Sequence, residues 1–197
     1  LTAAQGHADA KAILVSRGYD DPAIAEGLAK CDAAQSAYNA RQSADADEAQ
    51  AGDTLSAADK AARDGFDNFR AIARAVLKDD SAALQALGAT GRVPTDREGF
   101  ITFATAAYDT ALSRANPKVS VLGKRGYNQA ALDAEKAKLS ALTNANAAHD
   151  AASAAATRAT AQRDAAIQDL RKWWGELRAV AQVAFKDRPD LASELGL

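Results

Sequence analysis

The chain contains few of the residues that define several common protein classes. Cysteine occurs once, at Cys31, which excludes an internal disulfide and a metal site built from several thiolates. Aromatic residues make up only 6% of the 197 residues, and β-branched residues are sparse, so a β-sheet has little support. No run of about 18 apolar residues occurs, which argues against a membrane-spanning helix.

Alanine is abundant instead, and it has the highest helix propensity of all residues. Apolar residues account for 48% of the chain and charged residues for 25%, as in folded globular proteins. The net charge of −2 offers no basic stripe for nucleic acid or an anionic membrane. We therefore predict an all-α, soluble protein without a nucleic-acid partner. The sequence leaves its compartment undefined, with a lean toward the cytoplasm.

The segment from Tyr127 to Trp174 contains no glycine and no proline, which favours one uninterrupted helix. Its large apolar residues, and Leu177 beyond it, share one heptad phase, as in a helix packed along its length; they are Leu132, Leu139, Leu142, Ile167, Leu170, Trp174 and Leu177. Adjacent residues of a helix point about 100° apart. This phase therefore predicts that Trp174 is buried and Trp173 is not.

The chain also repeats itself. The tripeptide Arg-Gly-Tyr at residues 17–19 recurs at residues 125–127, an offset of 108 residues. The same offset, without a gap, aligns further identical residues, including Arg70 with Arg178, Lys78 with Lys186 and Gly88 with Gly196. We predict a tandem duplication with helical repeats at residues 1–90 and 91–197 that pack as one domain. Gly18 and Gly126 are expected to end helices with a positive φ.

The alanine-rich segment of each repeat has two interpretations. The preferred one is a single long helix, from position 22 to 78 in the first repeat, because the gapless alignment places no turn residue opposite Gly52. The alternative is a turn near Asp53 and another near Ala161, which would make each repeat a helical hairpin. Either way, we predict an antiparallel helical bundle or coiled coil with short capping helices.

Capping residues mark where the other helices begin. Asp20 is a suitable N-cap for the long helix, and Asp80 or Ser81 is suitable for a short helix that Gly88 ends. Thr95 and Glu98 form a capping-box pattern before a helix that we expect to end near Asn116 and Pro117. A second short helix is predicted from Leu191 to Leu195.

Patterns that bind metals, bind cofactors or carry catalysis are missing from the sequence. Neither His7 nor His149 follows a glutamate by three residues, as a di-iron bundle would require. The acidic segment 45–53 has Gln50 and Ser56 where a calcium loop needs glycine and a bidentate acid. No phosphate-binding loop or nucleophile elbow occurs. We expect no metal, no cofactor and no enzymatic activity.

The larger aromatic residues are the candidate contacts for a partner or ligand; they are Phe66, Phe69, Trp173 and Trp174. Our leading hypothesis is a structural or interaction protein that binds a protein partner or associates with itself. The alternative is a carrier of a small apolar ligand between the aromatic ends of the bundle. A closed cavity beside Trp173 or Phe66 would favour the carrier, and an exposed apolar stripe would favour interaction.

The repeat also leads to an expectation about the N-terminus. A full helix, Thr95 to Ala115, precedes the second Arg-Gly-Tyr, whereas sixteen residues precede Arg17. We expect the natural N-terminus to be longer by roughly five to fifteen residues and to include a large apolar residue at helical spacing.

Overall fold

The structure, a computed structural model, describes residues 8–113 and 119–188. Within these ranges all regular secondary structure is helical and no strand occurs, which confirms the all-α prediction. The described helices are α1 (Ala8–Val15), α2 (Asp21–Val76), α3 (Ser81–Ala86), α4 (Arg97–Leu112), α5 (Val119–Gly123) and α6 (Gln129–Ala184). The predicted short helix from Leu191 to Leu195 lies outside the described residues, as does His7.

The two long helices, α2 and α6, each run for 56 residues without interruption. Gly52 and Asp53 lie inside α2, and Ala161 lies inside α6, so the alternative with two helical hairpins is wrong. Both helices begin and end at positions that differ by 108, the offset of the repeated tripeptide. The duplication itself remains a prediction.

Turn and capping residues at the start of each long helix are also equivalent. Gly18 has a φ of +91° and Gly126 a φ of +98°, which confirms the expected left-handed conformation at both positions. The side chain of Asp20 accepts a hydrogen bond from the backbone N–H of Ala23 at 3.0 Å. Asn128, at the same place before α6, accepts one from Ala131 at 2.9 Å. These side chains satisfy amides that a helix start leaves unpaired.

The shorter helices follow the predicted caps with one correction. Asp80 is the N-cap of α3, and Gly88 follows that helix with a φ of +61°. The N-cap of α4 is Asp96, whose carboxylate accepts from the N–H of Gly99 at 2.7 Å. The predicted capping box from Thr95 is therefore wrong, because the carboxylate one residue later reaches the first turn. Helix α4 ends at Leu112; Asn116 and Pro117 lie outside the described residues.

By its internal contacts the chain divides into two compact units. We name residues 47–153 the central unit, and residues 1–46 with 154–197 the terminal unit. Each unit thus contains part of both predicted repeats. The units are defined by contacts in the structure, whereas the repeats are defined by the sequence and remain a prediction. In the central unit, α4 and parts of α2 and α6 enclose a core of leucine, alanine and aromatic side chains. The terminal unit has a smaller core that includes Leu14, Trp173, Leu177 and Phe185.

Candidate partner-binding face

The four aromatic residues singled out by the sequence do not form one site. Phe66 and Phe69 lie in the central unit and are completely buried. The ring of Phe66 has those of Phe100, Phe103 and Tyr108, all from α4, at centroid distances of 5.6 to 5.9 Å. Such aromatic pairs each stabilise the core by about 0.5–1.5 kcal/mol. Phe66 and Phe69 therefore serve packing and have no surface to offer a partner.

The two tryptophans lie in the terminal unit, and the prediction about their burial is wrong. Trp173 is 7% exposed and packs edge-to-face against Tyr19, with ring centroids 6.2 Å apart, whereas Trp174 is 39% exposed. Beyond Leu142 the buried residues of α6 follow no single heptad phase. Ala145, Ala159 and Trp173 come one residue before the phase of the preceding leucines, whereas Ala156, Leu177 and Ala181 lie on it. Alanine side chains are small enough to pack at either set of positions, so the alanine-rich segment does not fix whether Trp173 or Trp174 faces the core.

The residue that sequence reasoning missed here is Gly27. It is buried in α2, and a β-carbon at this position would overlap the indole of Trp173. The glycine thus leaves the space that Trp173 fills. Its only signal in the sequence is its place inside a helical pattern, where glycine costs about 1 kcal/mol relative to alanine and usually has a packing reason.

The central unit contains an equivalent contact, in which a glycine of α2 again faces a larger residue of α6. There Gly65 of α2 faces Glu135 of α6, whose carboxylate a β-carbon at position 65 would overlap. At an offset of 108, Gly27 aligns with Glu135 and Gly65 aligns with Trp173. The same two aligned positions therefore meet in both units, and in each case one of the two residues is glycine.

Both long helices have large exposed side chains in the terminal unit. Helix α2 contributes Leu28 and Tyr38, which are 39% and 44% exposed, and α6 contributes Trp174. Tyr38 lines an open groove of about 570 Å³ together with Ile167 and Arg171 of α6, so side chains of both long helices border this surface. We name this surface the open face; its residues are Leu28, Tyr38, Ile167, Arg171, Trp174 and Arg178.

The charged groups of this region are mostly cationic. Arg163, which also lines the groove, donates to the carboxylate of the adjacent Asp164 at 2.9 Å. Neither Arg171 nor Arg178 has a hydrogen-bond or ion-pair partner among residues 8–113 and 119–188. Both guanidinium groups are exposed and keep their donors for groups outside the chain.

A second groove, of about 230 Å³, lies beside Trp173. Apart from the largely buried indole, its lining consists of charged side chains, namely Glu26, Lys30, Asp169, Lys172 and Glu176. The ammonium group of Lys30 lies 3.3 Å from the carboxylate of Glu26. The groove is therefore suited to water and ions rather than to an apolar ligand.

The central unit holds three buried polar atoms without a hydrogen-bond partner in the described part of the chain, the hydroxyl of Tyr108 and one carboxylate oxygen each of Asp59 and Glu135. Burial, and secondly the negative charge of Glu135, raise the pKa of Tyr108 well above its usual range. Burial and the charge of Glu176 likewise raise the pKa of Tyr19 in the terminal unit. Both phenols are therefore neutral hydrogen-bond donors at ordinary pH.

Comparison of the chain with protein-family models, with curated proteins and with solved structures finds no match. None of the helices within the described ranges combines the length and hydropathy that a bilayer crossing needs. Nor do three histidine, cysteine, aspartate or glutamate side chains cluster as possible metal ligands in the part that the structure describes.

Proposed function

We propose that this chain is a non-enzymatic interaction protein that binds another protein through the open face. The observation that carries the proposal is the exposure of three large side chains of the terminal unit, Leu28, Tyr38 and Trp174, with Tyr38 lining an open groove between the long helices. Tryptophan and tyrosine are the residues most often responsible for binding energy at protein interfaces. A tyrosine or tryptophan buries about 150–250 Å² on full burial. The exposed fractions of Tyr38 and Trp174, 44% and 39%, are the parts of this area that a partner would still cover.

We further infer that the scaffold arose by tandem duplication and that its long helices are antiparallel. The equal lengths of α2 and α6, their offset of 108 and the equivalent glycine contacts support the duplication. The pairing of Gly52 with His149 and of Gly65 with Glu135 supports the antiparallel direction, because residue numbers rise on α2 as they fall on α6.

The carrier hypothesis finds less support. It requires an enclosed apolar cavity beside Trp173 or Phe66. Four aromatic rings surround Phe66 within about 6 Å, and the groove beside Trp173 is lined by charges. An exposed stripe beside these filled interiors favours a protein partner.

Site-specific photocrosslinking tests the proposal. A photoreactive phenylalanine analogue replaces Trp174 or Tyr38 in the full chain, and Val183, which is 69% exposed on the same helix as Trp174, is the control position. We expect irradiation in the native cells to give adducts of discrete mass from positions 174 and 38 and none from 183. Adducts at none of the three positions, or equally at all three, would show that the open face binds no protein.

The mass of the adduct separates two kinds of partner. The chain has a mass of 20.4 kDa, so an adduct of twice that mass indicates self-association. Sedimentation of the purified chain at several concentrations gives an independent measure, since a self-associating face shifts the average mass with concentration.

A further inference from the structure

In the central unit, the surface that corresponds to the open face is covered by α4. At the offset of 108, Phe66 corresponds to Trp174, and three rings of α4 cover it completely. Lys136 corresponds to Leu28, and its ammonium group lies 2.5 Å from the carboxylate of Asp109 on α4. Asn146 corresponds to Tyr38, and its side-chain oxygen accepts a hydrogen bond from Arg97 of α4 at 2.8 Å.

The segment that leads into α4 is held by two arginines of α2. Arg63 donates to the backbone carbonyls of Pro94 and Thr95 at 3.3 and 3.1 Å. Arg70 donates to those of Gly88 and Gly91, both at 2.8 Å. Arginine suits this role because its planar group presents several donors at once.

The counterparts of these two arginines in the terminal unit are Arg171 and Arg178, which are exposed and have no partner among the described residues. Trp174 is 39% exposed where Phe66 is fully covered. The counterparts of Phe66, Arg63 and Arg70 are thus exposed, whereas that of Phe69, which also contacts Tyr108 of α4, is the buried Leu177. This difference favours a role for the open face in binding a helix.

The charges agree with this interpretation. Arg163, Arg171, Arg178 and Asp164 give the region a net charge of +2. Residues 95–113, which comprise α4 and its flanks, contain one arginine, two aspartates and one glutamate, a net charge of −2. Complementary charge favours encounter and orientation of the two surfaces.

We propose that the open face binds an amphipathic α-helix of another protein, with a net negative charge and with aromatic residues at the first, fourth and ninth positions, as in Phe100, Phe103 and Tyr108 of α4. This inference rests on the proposed interaction function and specifies the chemistry of the partner. A second copy of the chain is the less suitable source, because its own α4 is buried, with Phe100 and Tyr108 each 1% exposed. The binding mode is that of a helix in an apolar groove.

A synthetic peptide of residues 95–113, labelled with fluorescein, tests this proposal against the full chain by fluorescence anisotropy. We expect saturable binding that Trp174→Asp and Tyr38→Asp each weaken at least tenfold, because a charge would replace an aromatic anchor. Arg171→Gln should weaken binding at least threefold. The matched control Val183→Asp should leave the affinity unchanged, and circular dichroism checks that each variant keeps its helix content.

A second peptide with alanine at positions 100, 103 and 108 should bind at least tenfold more weakly than the first. Absence of binding up to the solubility limit of the first peptide would overturn the proposal. Equal binding by the three open-face variants and the control would also overturn it, since the peptide would then bind elsewhere. If the peptide fails while position 174 still forms protein adducts, the face binds a partner of different chemistry and only this inference is wrong. If both experiments fail, the interaction function is wrong as well.

Discussion

Substitution of Gly27 by alanine tests whether the tryptophan contact determines the packing of the terminal unit. In an exposed helix position this change stabilises a protein by about 1 kcal/mol, because alanine has the higher helix propensity. At Gly27 the new β-carbon would overlap three atoms of the Trp173 ring, which is 7% exposed. We therefore expect the opposite sign, a loss of stability.

The size of the loss of stability depends on whether the Trp173 ring shifts within its site or leaves it. A forced extra methyl group in a packed interior costs about 1–3 kcal/mol, and the propensity gain offsets about 1 kcal/mol of it. If the indole left its site altogether, the lost burial of about 150–250 Å² would cost roughly 4–6 kcal/mol. We expect a net destabilisation of up to about 2 kcal/mol, since the ring can shift within its site.

Urea denaturation followed by circular dichroism measures the change without relying on tryptophan fluorescence. Gly175→Ala is the matched control, because a β-carbon at that exposed position of α6 would have no neighbour within 4 Å; it should stabilise by about 1 kcal/mol. In the Gly27→Ala background, Trp173→Leu should cost less than it does alone, because the smaller side chain makes room. Equal stabilisation by both glycine substitutions would refute the packing argument.

Three other changes can be measured in the same way. Arg70→Met should cost about 3 kcal/mol because it removes charged donors from the carbonyls of the buried Gly88 and the exposed Gly91, whereas Arg178→Met at the exposed counterpart should change stability by less than about 0.5 kcal/mol; similar effects would contradict the difference between the units. Gly18→Ala and Gly126→Ala should each cost about 1 kcal/mol because both glycines have positive φ, and a neutral result would contradict that. Tyr108→Phe should leave stability at neutral pH equal or higher by up to about 1 kcal/mol. The raised pKa of Tyr108 keeps the phenol protonated in the folded state, so the free energy of unfolding is unaffected by this group below pH about 10 and falls above it. Urea titrations at pH about 9 and 11 should show a smaller fall in the free energy of unfolding for the variant than for the parent chain. An equal fall in both would count against a neutral buried phenol.

The backbone of this protein was largely predictable from the sequence. Helix starts and stops depend on local chemistry, so Asp20, Asp80 and the glycines at positions 18 and 126 could be assigned from a few neighbouring residues. The choice of two uninterrupted long helices followed from the gapless repeat, which left Gly52 without a matching turn residue. The error at Thr95 was one residue, which is the usual uncertainty of a helix boundary.

The rotation of the long helices was not predictable, and this is why the site was missed. Alanine is common at both core and surface positions, so the phase set by Leu139 and Leu142 does not decide which tryptophan faces the core about 30 residues later. Leu177 is buried on that phase, whereas Trp173 is buried one residue before it. The decisive residue was Gly27, which acts by leaving space for a side chain on a helix more than a hundred residues away in sequence. Periodicity within one helix cannot report such a contact.

The difference between the two faces has a thermodynamic consequence. Within one chain, α4 is present at an effective concentration set by a short connection, on the order of millimolar, so its surface stays covered even when each contact is modest. A helix supplied by another protein covers the open face only when its concentration approaches its dissociation constant. On our proposal, Phe66 and Trp174 occupy equivalent positions with different tasks. Phe66 is covered by a helix of its own chain and stabilises the fold, whereas Trp174 is covered only when a partner supplies a helix.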